Sequence, residues 1–307
     1  MLPSPVAISA ARMWAVLWLA SLAPASCQAL LHFAVIGDPG TGKADQLAVA
    51  EQMEIYHQKF RWEFILSLGD NVYERGNPKD FERKFRAVYK NLTDRGARFH
   101  STLGNHDLRT DGGKAQLADP YFGYVGGQDE YVFEAGPVID GKKLVRFICL
   151  NSCALTDALK NKSSSELTSR LSRLDKWLAE SGRYHWNILF QHHPLYSYVR
   201  GVLFLARGHG PEIELRNVLE PKIAGRIDAV FAGHEHFYQK IRPQKGVHHV
   251  ISGAAGKVRR GVDTRHPDVE SAAERHHFLN VELSRNEMSY QAVAASGEVI
   301  DSRIMKK

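Results

Sequence analysis

Five short polar clusters carry the side chains that could do chemistry in this chain of 307 residues. They offer carboxylate oxygens, an amide oxygen and imidazole nitrogens, and none of them contains cysteine. The clusters are Gly37-Asp38-Pro39-Gly40, Gly69-Asp70-Asn71-Val72-Tyr73, Gly104-Asn105-His106-Asp107, Gln191-His192-His193-Pro194 and Gly233-His234-Glu235-His236. Hard donors of this kind suit two metal ions held side by side, an arrangement that enzymes use for hydrolysis at phosphorus. The clusters therefore predict a two-metal hydrolytic site.

The individual residues fit this prediction. Asp70 can bridge two cations through its two carboxylate oxygens, and Asp38 can give a carboxylate to one of them. His234 and His236 are two residues apart, so their side chains point the same way at an extended strand end. A glycine stands before four of the donors and lets the chain turn sharply there. Each cluster alone is as typical of a turn or a surface pair, but their order and placement together favour a site.

Each cluster follows an apolar run of strand length. The runs are Leu31–Ile36, Phe64–Leu68, Phe99–Leu103, Asn187–Phe190 and Ile227–Phe231. Near-continuous apolar runs indicate strands that are buried on both faces of a sheet. In open α/β sheets, ligands bind at the carboxyl ends of the strands, so we expect all five clusters to gather on one rim.

Helical patterns separate the strands. Ala44–Phe60 is helix-like, and the apolar residues between Phe81 and Tyr89 recur at helical spacing. Ser163 and Glu166 form a capping box that opens a helix, and Gly182 ends it. The apolar face of that helix consists of Leu167, Leu171, Leu174 and Leu178. Strands alternating with helices predict βαβ units in an α/β fold.

The motifs in this order resemble the calcineurin-like metallophosphoesterases, and most of all the small, single-domain, tartrate-resistant purple acid phosphatases. That family carries Gly-Asp-x-Gly, Gly-Asp-x-x-Tyr, Gly-Asn-His-Asp or -Glu, a strand-end His, and Gly-His-x-His. The resemblance runs from about Leu31 to Asp301 and includes the turn Ile251–Gly256 and the final strands Phe278–Leu283 and Met288–Ala294. It implies a four-layer α/β/β/α sandwich, with two mixed sheets flanked by helices.

The resemblance also implies a ligand set. The first metal would take Asp38, Asp70, Tyr73 and His236, and the second would take Asp70, Asn105, His192 and His234. Two anionic side chains belong to the first site alone, whereas the second has only the shared Asp70. This imbalance favours a trivalent ion beside a divalent one, which matches the Fe(III)–M(II) pair of the family, with Fe, Zn or Mn as M.

Tyr73 separates the purple acid phosphatases from their relatives. Most calcineurin-like enzymes have a histidine two residues after the first aspartate, and Gly40 stands there in this chain. A tyrosine three residues after Asp70 is instead the position of the family's phenolate ligand. The alternative is that Tyr73 packs under the loop, in which case a plain divalent pair is expected.

The implied reaction is the hydrolysis of phosphate monoesters in acid by a metal-bound hydroxide. His106 would protonate the leaving alkoxide or act as a hydrogen-bonding neighbour of the ligands, and Asp107 would orient the site as a structural carboxylate. His209, between two glycines, resembles a histidine that lines the phosphate pocket, although such a loop histidine is as readily merely exposed. His193 is the alternative to His192 as the metal ligand, and the family pattern and Pro194 favour His192.

Two other functions remain open from the sequence. A phosphodiesterase or nucleotidase needs the same metal clamp, so the ligands cannot exclude either. A binding protein without catalysis on the same scaffold is disfavoured because every ligand position is intact.

Composition points to one α/β domain, at residues 28–307. Hydrophobic residues make up 44% of the chain and charged residues 24%, and the formal net charge is +6. The basic run Lys257-Val258-Arg259-Arg260 reads as a solvated loop rather than a binding patch. We expect a phosphorylated small molecule or phosphoprotein as substrate, no nucleic-acid partner, no stable membrane insertion, and a monomer.

The first 27 residues read as a signal peptide. Arg12 precedes the apolar run 13–22, and Ala23-Pro24-Ala25 resembles a cleavage site. We therefore expect export to the medium, the periplasm or a lysosome-like compartment, according to the host. A disulfide between Cys149 and Cys153 is left open.

Overall fold

The computed structural model describes residues 30–202, 205, 206 and 209–307. The expected signal peptide lies outside these residues. The strands are β1 (Leu31–Ile36), β2 (Phe64–Ser67), β3 (Arg98–Ser101), β4 (Tyr131–Ile139), β5 (Lys142–Cys149), β6 (Tyr184–Gln191), β7 (Gly201–Val202), β8 (Leu205–Ala206), β9 (Ala229–Ala232), β10 (Tyr238–Gln244), β11 (Val247–Ser252), β12 (Val269–Ala273), β13 (His277–Leu283), β14 (Glu287–Ala294) and β15 (Val299–Lys306). The α-helices are α1 (Ala44–Phe60), α2 (Ala87–Asp94), α3 (Lys114–Ala118), α4 (Ser152–Lys160), α5 (Ser164–Leu178) and α6 (Ile213–Ile223).

Two large sheets organise the fold, and both are mixed. The first has the strand order β15-β14-β13-β1-β2-β3, in which β1, β2 and β3 run parallel. The second has the order β12-β10-β11-β9-β6-β5-β4, in which β5, β6, β9 and β11 run parallel. A small hairpin joins β7 to β8. The strands that precede the five clusters are thus divided between two sheets rather than lying in one.

The two sheets face each other across an aromatic core. The ring of Phe147 on β5 lies 5.2 Å from Phe33 on β1 and 5.2 Å from Phe64 on β2. Val49 and Met53 of α1 belong to the same buried cluster, which places this helix on the first sheet. The outer face of the second sheet is buried by α4, α5 and α6 through Leu155, Leu174 and Leu215. The molecule is therefore the expected four-layer α/β/β/α sandwich.

Most element bounds follow the sequence pattern, with three differences. Ser163 is the N-cap residue of α5, but its side chain makes no capping hydrogen bond, and α5 ends at Leu178 rather than at Gly182. The predicted helix around Phe85 contains one π-helical stretch, 82–86, before α2 begins. Cys149 and Cys153 are buried and are not bonded to each other, which settles the disulfide left open by the sequence. Among the described residues, no helix combines the length and the apolar character needed to cross a bilayer.

Candidate metal centre

The five clusters meet where the carboxyl ends of strands from both sheets converge. The first three follow β1, β2 and β3, and the last two follow β6 and β9. Their donors are withdrawn from solvent: Asp38 and His192 are 0% exposed, and Asp70 and Tyr73 are each 1% exposed. Charged groups are buried this deeply only when they are paired or bind a cation.

The backbone is unusual at three of the predicted ligands. Asp38, Asp70 and His234 have φ angles of 55°, 52° and 68°, in the left-handed region. This conformation costs an L-residue about 1–2 kcal/mol. Each of these residues directly follows a glycine, and the tight turns aim their side chains back toward the strand ends.

The predicted ligands of the first metal lie together. The Tyr73 hydroxyl is 3.0 Å from Asp38 Oδ1 and 3.0 Å from His236 Nε2, and the last two atoms are 3.4 Å apart. Asp38, Asp70 and His236 each offer a ligand atom within 4.8 Å of the others. The arrangement can surround one cation with two carboxylates, a phenol oxygen and an imidazole.

The predicted ligands of the second metal also converge. His192 Nε2 lies 3.1 Å from Asn105 Oδ1, 3.1 Å from His234 Nδ1 and 3.7 Å from Asp70 Oδ1. The other ring nitrogen of His192, Nδ1, is 2.8 Å from the Leu68 carbonyl oxygen and donates to it. This hydrogen bond fixes the tautomer and leaves the Nε2 lone pair facing the site.

Burial shapes the ionisation of the centre. It raises the pKa of Asp38, and the nearby Asp70 carboxylate adds to the rise. It lowers the pKa of His234 well below the usual range and that of His236 to about 4, so both imidazoles keep free lone pairs. Crowded carboxylates beside neutral imidazoles and an amide oxygen are a donor set for cations, and the residues therefore fit two metal ions.

His106 lies at the rim of the centre. Its Nδ1 donates to the Glu74 carbonyl oxygen at 2.7 Å, which leaves Nε2 toward the site, 4.0 Å from Asp70 Oδ2. Burial lowers the pKa of His106, and the cations Arg109 and Lys257 lower it further. The side chain is placed where it can reach a group bound at the metals.

His209 is also brought to the centre. Its ring lies 4.3 Å from the ring of His234. The Glu235 carboxylate holds the loop, because Oε1 accepts the backbone N–H groups of His209 and Gly210 at 2.7 Å each. The residue as a whole is exposed, and partial burial of its ring, together with Arg259, lowers the pKa of His209 to about 4.

Asp107 lies beneath the site and does not line it. The carboxylate is fully buried and accepts the backbone N–H groups of Asn71, Val72 and Gly104 at 2.9–3.0 Å. Gln116 Nε2 donates to it at 2.7 Å. Asp107 therefore joins the turn that carries Asp70 to the turn that carries Asn105, as a positioning residue.

His193 lies nearer the centre than the sequence indicates. It offers a ligand atom within 4.8 Å of those of His192 and His234, and its ring is 4.4 Å from that of His234. Its Nδ1 is 3.1 Å from Ser152 Oγ, whose oxygen also accepts the His193 backbone N–H at 2.9 Å. This residue flanks the second metal position.

The basic run 257–260 is not the solvated loop expected from the sequence. The Lys257 ammonium lies 3.5 Å from the centre of the Tyr73 ring, and it pairs with Glu74 Oε1 at 3.0 Å. Arg259 is near enough to lower the pKa of His236. The run follows Gly256, which packs against the backbone of Pro39. This glycine-rich turn is the sequence signal that could have predicted a position of the run beside the centre.

Comparisons with known proteins identify the family of this chain. The family model described as calcineurin-like phosphoesterase matches residues 31–238. The human tartrate-resistant acid phosphatase type 5 is 26% identical over 320 residues, covering 92% of each chain. The purple acid phosphatase 4 of Arabidopsis thaliana is 26% identical over 288 residues, which cover 87% of this chain and 81% of that protein.

Solved structures share the fold. A purple acid phosphatase from yellow lupin seeds superposes with a TM-score of 0.71 at 16% identity, covering 91% of this chain and 54% of that one. GAP50, the anchor in the inner membrane complex of Plasmodium, gives a TM-score of 0.78 at 18% identity, covering 91% and 89%. At these identities the likeness concerns the fold alone.

Proposed function

The chain belongs to the calcineurin-like phosphoesterase family and is a hydrolase, and we propose that it is an acid phosphatase acting on phosphate monoesters. We further propose that it uses a dinuclear Fe(III)–M(II) centre, with Fe, Zn or Mn as the divalent ion. Its relatives named purple and tartrate-resistant acid phosphatases support this choice within the family.

One contact carries the proposal. The Tyr73 hydroxyl is 3.0 Å from both Asp38 Oδ1 and His236 Nε2, so the phenol oxygen lies among the donors of the first site. With Asp70 these residues would hold Fe(III), and Asp70, Asn105, His192 and His234 would hold the divalent ion. The two ions would neutralise the phosphoryl oxygens and ionise a water nucleophile in acid.

The surrounding residues handle the substrate. His106 Nε2 faces the site, and in the doubly protonated imidazolium form, with Nδ1–H still donated to the Glu74 carbonyl, it would give its proton to the leaving alkoxide. His209 lies beside His234 and would hydrogen-bond the phosphate or the leaving group. Asp107 holds the two ligand turns in register through their backbone N–H groups.

The test compares a monoester with a diester on protein of known metal content. Release of p-nitrophenol from p-nitrophenyl phosphate and from bis(p-nitrophenyl) phosphate is followed across pH. Faster turnover of the monoester, with its maximum in acid, is the expected result. A preference for the diester would instead identify a phosphodiesterase, and no turnover with both metal positions filled would identify a binding protein.

A further inference from the structure

A cavity adjoins the centre on the side of Asn105. Its volume is about 270 Å³, and it lies between the segment 105–109 and α4. The polar residues of its wall are Asn105, Arg109, Thr156, Asp157, Lys160 and His193. Because Asn105 is a proposed metal ligand and His193 flanks the same metal position, the cavity begins where the reacting phosphoryl group would be bound.

Arg109 connects this cavity to the proposed proton donor. Its Nη2 lies 3.3 Å from His106 Nε2, and its Nη1 donates to the Glu74 carbonyl at 3.4 Å. His106 Nε2 cannot donate while Nδ1 holds the proton, so it accepts from the guanidinium in this state. A leaving group that takes a proton from His106 would therefore meet the Arg109 side chain as its next neighbour.

The charge of the cavity favours an anion. Arg109 and Lys160 supply two positive charges against the single carboxylate of Asp157. In the part of the chain that the structure describes, no carboxylate lies within 4.0 Å of the charged nitrogens of Arg109 or Lys160. The ammonium of Lys160 is close enough to His193 to contribute to lowering its pKa. Neither positive charge is thus neutralised by a carboxylate within that distance, and each Nη of Arg109 has a second N–H besides the one directed at Glu74 or His106.

We propose that this cavity is a leaving-group subsite that binds an alcohol carrying a second anionic group, with Arg109 and Lys160 as its specificity residues. The inference rests on the proposed phosphatase function and names a substrate class for it. A guanidinium binds a carboxylate or phosphate through paired N–H donors, which suits Arg109 to this role. The small volume limits the leaving group to a few carbon atoms.

The test uses two esters of the same size that differ in one charge. Glycerol 3-phosphate and 3-phosphoglycerate share the same ester linkage, and only the second carries a carboxylate. The quantity measured is the kcat/KM for 3-phosphoglycerate divided by that for glycerol 3-phosphate, and we expect this ratio to be greater than one in the wild-type protein. Arg109→Gln should lower that ratio about tenfold, the value of one charge-assisted hydrogen bond. Lys160→Gln should lower it less, because an ammonium lacks the paired N–H donors of a guanidinium.

Asp157→Asn should change the ratio in the opposite direction. Removing the negative charge from the cavity wall should raise the ratio, a result that misfolding cannot produce. Lys90→Gln is the matched control, because Lys90 is an exposed lysine of α2 that pairs with Asp94. An unchanged ratio in both Arg109→Gln and Asp157→Asn would overturn the proposal. So would a loss of preference in Lys257→Gln or Arg259→Gln alone, which would place the leaving group beside the run 257–260 instead.

A binding measurement separates this proposal from the proposed function. Titration calorimetry with 3-phosphonopropionate and propylphosphonate, which cannot be hydrolysed, should show tighter binding of the first, and Arg109→Gln should reduce the difference. If neither ester is turned over but this difference is present, the phosphatase function fails while the subsite stands. Equal affinity for the two phosphonates in the wild-type protein contradicts the subsite whether or not the esters are hydrolysed.

Discussion

At the scale of single residues, the centre depends on which atom of each side chain faces inward. His192 presents Nε2 because Nδ1 donates to the Leu68 carbonyl, whereas His234 presents Nδ1. Asp38 and Asp70 are turned toward the site by backbone angles that only glycine adopts without strain. The residue types predict a metal site, and these local constraints set its geometry.

Tyr73→Phe tests the phenolate ligand. Its hydroxyl is the group that would bind Fe(III), and a phenolate on Fe(III) gives a charge-transfer band in visible light. The variant should lose or shift that band while keeping the ring contact with His106, whose ring lies 4.6 Å away. Absorption spectra of wild-type and variant protein at equal iron content provide the measurement. A band of unchanged position and intensity contradicts ligation by Tyr73.

The pair His192→Ala and His193→Ala tests the choice between neighbouring histidines. His192 Nε2 is 3.1 Å from Asn105 Oδ1, whereas His193 Nδ1 is engaged with Ser152 Oγ. The first substitution should therefore remove more bound metal than the second. Metal analysis of both purified variants measures this, and circular dichroism controls for folding. A greater loss in His193→Ala would reassign the ligand.

At the scale of elements, the turns after the strands are packed against one another. A Cβ atom on Gly104 would lie 2.2 Å from the Asp70 backbone nitrogen and 2.2 Å from Asp70 Oδ1. Asp107 then joins the same two turns by hydrogen bonds. The glycines of the motifs are thus required by close approach between turns as well as by the sharp bends within them.

Gly104→Ala tests this packing. The added methyl group must displace the Asp70 turn, so we expect a loss of about 1–3 kcal/mol in the free energy of unfolding together with weaker metal binding. Urea denaturation and metal analysis measure the two effects. Gly182→Ala is the control, because no heavy atom lies within 4 Å of its added Cβ. Equal stability of the two variants would contradict the close approach.

At the scale of the whole molecule, folding buries histidines in the neutral state. His277 donates through Nδ1 to the Arg275 carbonyl at 2.8 Å and accepts at Nε2 from Ser252 Oγ at 3.0 Å. Burial lowers its pKa to about 4, and the neighbouring His276 contributes. As the pH falls, the unfolded chain therefore protonates this histidine at a higher pH than the folded protein does. The stabilisation present above about pH 6.5 is lost as the pH falls toward 4.

His277→Gln tests this linkage, because glutamine carries no titratable group. The difference in unfolding free energy between wild-type protein and variant should shrink by about 2 kcal/mol from pH 7.5 to pH 5. Urea denaturation at the two pH values measures it, and the comparison cancels changes shared by both proteins. A difference that does not vary with pH would show that His277 is not held neutral by the fold.

The sequence by itself determined which residue types stand at the strand ends, and from these it predicted the chemistry of the site. Apolar periodicity and glycine turns are local signals, and they predicted the strands and the candidate donors. The four-layer fold was implied by the resemblance of the motifs to the calcineurin-like phosphoesterases. Whether Tyr73, His106 and His209 act as predicted is left to the experiments above.

Only the tertiary structure decided which parts of the chain surround the donors. The clusters come from two sheets, and the run 257–260 and α4 are brought beside them although both are distant in sequence from the motifs. A charge such as Lys160 carries no signal of this placement, because a solvated lysine and one that faces a site look alike in sequence. Long-range packing of the sheets and helices decides which segments lie beside the donors, and no local pattern of the sequence encodes that packing.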